Sequence, residues 1–315
     1  MTASYHDRVN DLQGVAAGGP FDRAEWFALL AQSGIKPLVA QAQSGERTVQ
    51  LPLTRANGRI ESLRNWYSFH WRPLGADQRL LEEAARALRS LSHRVMLWPV
   101  PDEDGSATRL ETAFRAAGWH VEREACDNNH VLPVSGRSFA EYWESRPGPM
   151  RTTLKRKAKK VEVVLHRHFD PAAWSLYEEI YQESWKPEEG DPALLRRFAE
   201  QEGAAGRIRL GIALAGDRAV AAQFWTVENG TAYIHKLAHR EDAKPLSAGT
   251  TLSAALFEHV IDRDKVTLVD FGTGNDAYKR DWMELDRPRY RIDCLDPRQV
   301  RAWPALAKRA VARLA

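Results

Sequence analysis

The chain has 315 residues, enough for about two domains, and its 43% apolar and 28% charged residues are the balance of a globular protein with a sizeable core. No apolar run approaches the roughly 20 residues that span a bilayer, and Met1 to Gly19 lacks the basic start and apolar stretch of a secretory signal, so the expected address is the cytoplasm. Cys126 and Cys294 fit no metal-ligand spacing and are expected as reduced thiols, and the net charge of +3 hides two basic clusters.

In chain order, Phe21 to Ala31 predicts a short helix capped by Asp22, and residues 35–43, 47–55 and 58–64 predict three strands. Ser44-Gly45 and Asn57-Gly58 supply the turns, because Gly and Asn tolerate positive φ. After an aromatic stretch (Trp66, Tyr67, Phe69, His70, Trp71) come a helix over 77–92, a strand over 94–99, a helix over 106–117 and two strands within 119–134. These segments, 1–135, are expected to form a first domain.

A second domain is expected over 136–297. It opens with a helical region broken by Pro147-Gly148-Pro149 and a basic segment (Arg151, Lys155, Arg156, Lys157, Lys159, Lys160, Arg167). A strand over 161–168 and a helix over 171–185 follow, with Trp174, Tyr177, Tyr181 and Trp185 at spacings of three and four and so on one face. A second helix over 192–204 leads into strands at 207–215, 219–228 and 231–239, joined by turns at Gly216-Asp217 and Asn229-Gly230. A helix over 250–262, a strand over 266–271, a short helix near 276–284 and a strand over 289–295 complete it. A meander followed by a βαβ crossover makes a mixed, mostly antiparallel sheet with helices on its faces, an α+β arrangement.

Residues 298–315 form a basic tail with Arg298, Arg301, Lys308, Arg309 and Arg313 and no acid. Val300, Trp303, Leu306, Ala310 and Leu314 fall on one side, so the tail reads either as a solvated helix or as a segment lying on an anionic membrane surface.

The order β-α-α-β-β-β-α-β-α-β resembles that of the GNAT superfamily. Asp270-Phe271-Gly272-Thr273-Gly274, followed by Tyr278-Lys279 and Trp282, is similar to the closing signature of its FemAB-like branch. In that branch two GNAT-type domains stand in tandem, the first usually degenerate, and a basic stretch precedes the first strand of the second. The resemblance covers 136–295 well and 21–134 only in general pattern. It implies an acyltransferase with an acyl-CoA co-substrate, an amine-bearing acceptor and no permanently bound cofactor or metal.

The resemblance places the donor's pyrophosphate at the loop 244–251, where Ser247, Ala248, Gly249, Thr250 and Thr251 open a helix whose N–H groups and dipole favour anions. Lys236 and Leu237 border the donor on the preceding strand. That loop lacks the usual Gln or Arg followed by Gly-x-Gly, which leaves aminoacyl-tRNA open as donor. Alternation puts Tyr233, His235, Leu237 and His239 on one face of strand 231–239 and Lys236 on the other. His235 reads as a general base or as a satisfied structural histidine. Tyr278 stands where many GNAT enzymes keep the tyrosine that protonates the leaving thiolate, and a packed core tyrosine is the alternative. Lys279 could counter a phosphate or carboxylate, and Asp270 could orient a base.

The acceptor is the least legible part. Trp174, Tyr177, Tyr181, Trp185 and Tyr233 read either as core or as an apolar wall for a long alkyl chain. Such a wall beside a basic surface resembles the bacterial ceramide synthases, which N-acylate a sphingoid base. Alternatives are aminoacyl-tRNA-dependent transfer to a cell-wall peptide, polysaccharide acetylation, and a non-catalytic GNAT-fold binding protein.

Overall fold

The computed structural model describes residues 2–13, 18–274 and 276–312, so Met1, Arg313 and Leu314 lie outside the described residues. The chain forms two compact units, Met1–Asn128 with Arg287–Ala315, and Asn129–Asp286. The divisions read from sequence, at 135/136 and 297/298, lie elsewhere because two long strands each begin in one unit and end in the other.

The first unit starts with β1 (Thr2–His6), α1 (Ala24–Gln32), β2 (Pro37–Ser44), β3 (Arg47–Ala56) and β4 (Arg59–Ser62). β1 to β4 pair antiparallel in sequence order, through turns in which Gly45, Asn57 and Gly58 take positive φ. α2 (Gln78–Leu88) then crosses to β5 (Arg94–Val100), which pairs parallel to β4. α3 (Ser106–Ala116) leads into β6 (His120–Pro133), one continuous strand where two were expected. Asp22 does not cap α1, whose N-cap is Arg23. It is buried, receiving Arg72 Nη2 at 2.5 Å and standing 3.1 Å from His70 Nε2.

The second unit contains α4 (Phe139–Glu144), α5 (Gly148–Lys157), β7 (Glu162–His166), α6 (Pro171–Gln182), α7 (Pro192–Ala204), β8 (Ile208–Ala215), β9 (Arg218–Glu228), β10 (Thr231–His239), α8 (Ala248–Glu258), β11 (Leu268–Thr273) and α9 (Lys279–Trp282). Its strands run in the order β6-β11-β10-β9-β8-β7, antiparallel except for β10 with β11. Each face of this sheet has its own helices. Phe224 on β9 meets Trp174 of α6 and Phe198 of α7, while its neighbour Trp225 meets Phe257 of α8. The close approach of α8 to β8 depends on Gly211, where a Cβ would come within 2.8 Å of Leu252 Cδ1.

The chain returns to the first unit along β12 (Leu285–Leu295) and ends in α10 (Trp303–Ala312). Arg309, expected on a free basic face, is tied down instead, 2.5 Å from Asp293 and 2.7 Å from Glu122. Val300, Trp303 and Val311 stay exposed. Among the described residues no helix is long and apolar enough to cross a membrane.

Candidate active site

Two features of β10 shape the site. Its parallel pairing with β11 covers only Thr231–Tyr233 against Leu268–Asp270, and beyond that β10 continues to His239 paired with β9 alone. The two strands therefore part, opening a notch between them. Second, a β-bulge lies between Ile234 and Lys236. One inserted residue reverses the facing of every later side chain.

The bulge corrects the alternation read from sequence. Tyr233 and His235 do share a face, but Lys236 joins them there, while Leu237 and His239 turn to the α8 side. His235 Nε2 lies 2.8 Å from the hydroxyl of buried Thr226, its ring stacked on Phe224 and edge-on to Phe198. Lys236 Nζ donates to Glu189 at 2.8 Å and lies over the Tyr181 ring; burial pushes its pKa down, against the pull of Glu189.

On the opposite face, a cavity of about 440 Å³ is lined by Leu237, Ala238 and His239 of β10, Gly249, Thr250 and Ser253 of α8, Met150 and Thr153 of α5, and by Trp185, Gln223, Phe271, Tyr278 and Trp282. Gln223 fixes α8 to the sheet. Its buried amide donates to Ser253 Oγ at 2.6 Å and to the Gly249 carbonyl at 3.3 Å, and its carbonyl accepts from Trp225 Nε1. A Cβ on Gly249 would stand 3.5 Å from His239 Cδ2, so anything larger presses into the cavity. Burial, with Asp276 nearby, raises the Tyr278 phenol well above its ordinary range, so at neutral pH it carries a proton it can donate.

Ser247, in left-handed conformation, gives α8 no side-chain cap. Its hydroxyl accepts from Lys157 Nζ at 3.0 Å, which sets the basic end of α5 beside the start of α8. Ala248 and Thr251 are buried, and the Thr251 hydroxyl has no hydrogen-bond partner among the described residues.

The remaining candidates brace the site. Asp270 accepts from Gly272 N at 2.8 Å and Asn129 Nδ2 at 3.0 Å. Lys279 donates to the Thr273 carbonyl, and His130 Nε2 lies 2.7 Å from the Gly274 carbonyl. These groups hold the Asp270–Gly274 turn, where Gly272 and Gly274 take positive φ, in one shape. The aromatic set divides. Trp174, Tyr177 and Tyr181 are buried on α6, but the helix stops at Gln182, so Trp185 leaves that face and packs on His239 at 4.3 Å. A second cleft, of about 600 Å³, is lined by Trp174, Tyr177, Tyr181, Pro187 and Leu195 together with Glu178, Glu188, Glu189 and Lys186. Gln223, Ser253 and His239 were not singled out in the sequence; only the face of β10 after the bulge reveals His239.

Residues 149–280 match the family model described as an acetyltransferase (GNAT) domain. This segment is therefore a GNAT acetyltransferase domain, a class that generally takes a CoA thioester as co-substrate. No curated protein matches the chain in sequence. Among solved structures it resembles FemX (TM-score 0.65, 9% identity, 94% of this chain and 98% of that one). It also resembles the C-terminal domain of a putative lysylphosphatidylglycerol synthetase from Agrobacterium fabrum (0.58, 14%, 91% of each). A third is L-PGS from Bacillus licheniformis (0.57, 12%, 93% and 98%). At these identities the likeness is one of fold, and it extends over nearly the whole chain.

Proposed function

We propose that the protein transfers an acyl group from acyl-CoA to the amine of an amphiphilic acceptor, with a sphingoid-type base as the sharpest form of that acceptor. The observation that carries the reading is the convergence of the end of β10 beyond its pairing with β11, the uncapped start of α8 and protonated Tyr278 on one cavity. The first N–H groups of α8, with Lys157 and the α5 row, favour the donor's pyrophosphate. The thioester would extend along β10 toward Tyr278, whose phenol protonates the departing thiolate. The lining of this inner end, Leu237, Met150, Phe271 and Trp282, suits an acyl chain.

The second cleft supports an aliphatic chain on the acceptor, since its aromatic and aliphatic walls would pack along one. Exposed Trp303 and Val311 on α10 support contact with a lipid surface, from which such an acceptor would be drawn.

Thiol release measured with acyl-CoAs of graded length and with sphingoid bases, amino sugars and short alkylamines tests this. Release with long-chain acyl-CoA that requires a sphingoid base is expected; release with amino sugars alone would refute the lipid acceptor. A second reading, aminoacyl-tRNA as donor, draws on the exposed row Arg151, Lys155, Arg156, Lys159 and Lys160. It requires tRNA binding that weakens steeply with salt.

A further inference from the structure

N-acyl transfer needs a group that takes the proton of the incoming ammonium, and Tyr278 cannot do so while it holds its own. We infer that His239, at the end of β10, is that general base. The inference rests on the N-acyltransferase reading and assigns a role within the same cavity.

Three observations carry it. His239 lines the cavity that Tyr278 lines, whereas His235 is held at Thr226 among Phe198 and Phe224 on the other face of the sheet. The bulge between Ile234 and Lys236 is the physical cause, because it turns the strand's second histidine toward α8. Next, His239 Nδ1 lies 3.1 Å from the Arg240 carbonyl oxygen. A carbonyl only accepts, so Nδ1 must carry hydrogen, and in the neutral ring Nε2 is left with the lone pair. Finally, the ring is held in place. Trp185 packs against it, ring centroids 4.3 Å apart. A side chain that is oriented, fixed in one tautomer and set in a cavity beside a proton donor has the attributes of a base.

Nε2 takes one proton from the acceptor's ammonium, and the freed amine attacks the thioester carbonyl, forming the C–N bond. The tetrahedral intermediate collapses with cleavage of the C–S bond, and the Tyr278 hydroxyl gives its proton to the sulfur. The second N–H proton returns to the Tyr278 oxygen, and the imidazolium releases its proton to solvent. The products are an amide, free CoA thiol and one proton.

Two measurements on the full-length protein test the assignment. In the thiol-release assay, His239→Gln should lower kcat about 10²–10⁴-fold with the KM for acyl-CoA within about threefold. Added imidazole should restore part of the activity of His239→Ala, and His235→Gln should stay within a few fold of the parent. Turnover of His239→Gln near the parent's, or a His239→Ala variant that imidazole does not rescue, would overturn the inference while leaving the parent's acyl transfer standing. No thiol release by the parent would instead count against the acyl-CoA reading. The second measurement needs no substrate: the ¹⁵N shifts of the His239 ring, assigned by their loss in His239→Gln, should report hydrogen on Nδ1 in the neutral form. Hydrogen on Nε2 would refute the assignment whatever the activity.

Discussion

Both units fold three antiparallel strands and return through a helix to a parallel fourth: β2-β3-β4, α2 and β5 in the first, β8-β9-β10, α8 and β11 in the second. They differ at the two places where a donor would bind. β4 has four residues, while β10 has nine and runs on past its parallel partner. At the start of α2 the Asp77 carboxylate accepts from Arg79 N and Leu80 N and is itself paired with Arg47. That helix end already holds its anion. The first turn of α8 carries no acidic residue, Ser247 makes no side-chain cap, and Lys157 stands beside it. One topology thus yields a capped helix start in the first unit and an uncapped one in the second.

The largest expected effect tests the chemistry. Tyr278→Phe should cost about 10²–10⁴ in kcat with acyl-CoA affinity, read by calorimetry, unchanged; full activity would remove the tyrosine from the reaction. The next tests the first unit as scaffold. Burial alone would raise the pKa of Asp22, but His70 and Arg72 outweigh it and hold the carboxyl well below its usual range. Its contribution to stability is then complete above about pH 4 and lost as the pH falls through the acid range toward the lowered pKa. Asp22→Asn should remove about 3–5 kcal/mol, and its melting temperature should fall less between pH 5 and pH 2 than the parent's. An equally steep fall would assign the acid sensitivity to other groups.

A smaller effect makes the second unit imitate the first. Ser247→Asp places a carboxylate at the start of α8, in a left-handed conformation that Asp tolerates. It should weaken acyl-CoA binding about tenfold, or ~1.4 kcal/mol; unaltered affinity would put the pyrophosphate elsewhere. The converse change is the mildest. Asp77→Ala should cost about 1 kcal/mol of stability and confer no donor binding on the first unit, since β4 still lacks the long free edge.

Much of this is legible in the sequence alone. The turns at Asn57-Gly58 and Asn229-Gly230 hold positive φ where expected, and the order of elements from β7 to β12 is the one the periodicity predicts. The Asp270–Gly274 signature marks a real turn, but its Asp and Lys279 brace the backbone, which residue type alone does not reveal. The spacing of Trp185 continues the pattern of a helix that ends three residues earlier, so spacing alone sets it on the wrong face.

The sequence by itself determined the mixed sheet, its helices and the GNAT character of the second half, because period and turn chemistry are properties of neighbouring residues. Only the tertiary structure decided which histidine lines the cavity with Tyr278, which helix start has no side-chain cap, and that Asp22 and Arg309 are locked in ion pairs. Those outcomes depend on a bulge set by pairing with β9 and on partners distant in the chain, and no local pattern encodes either.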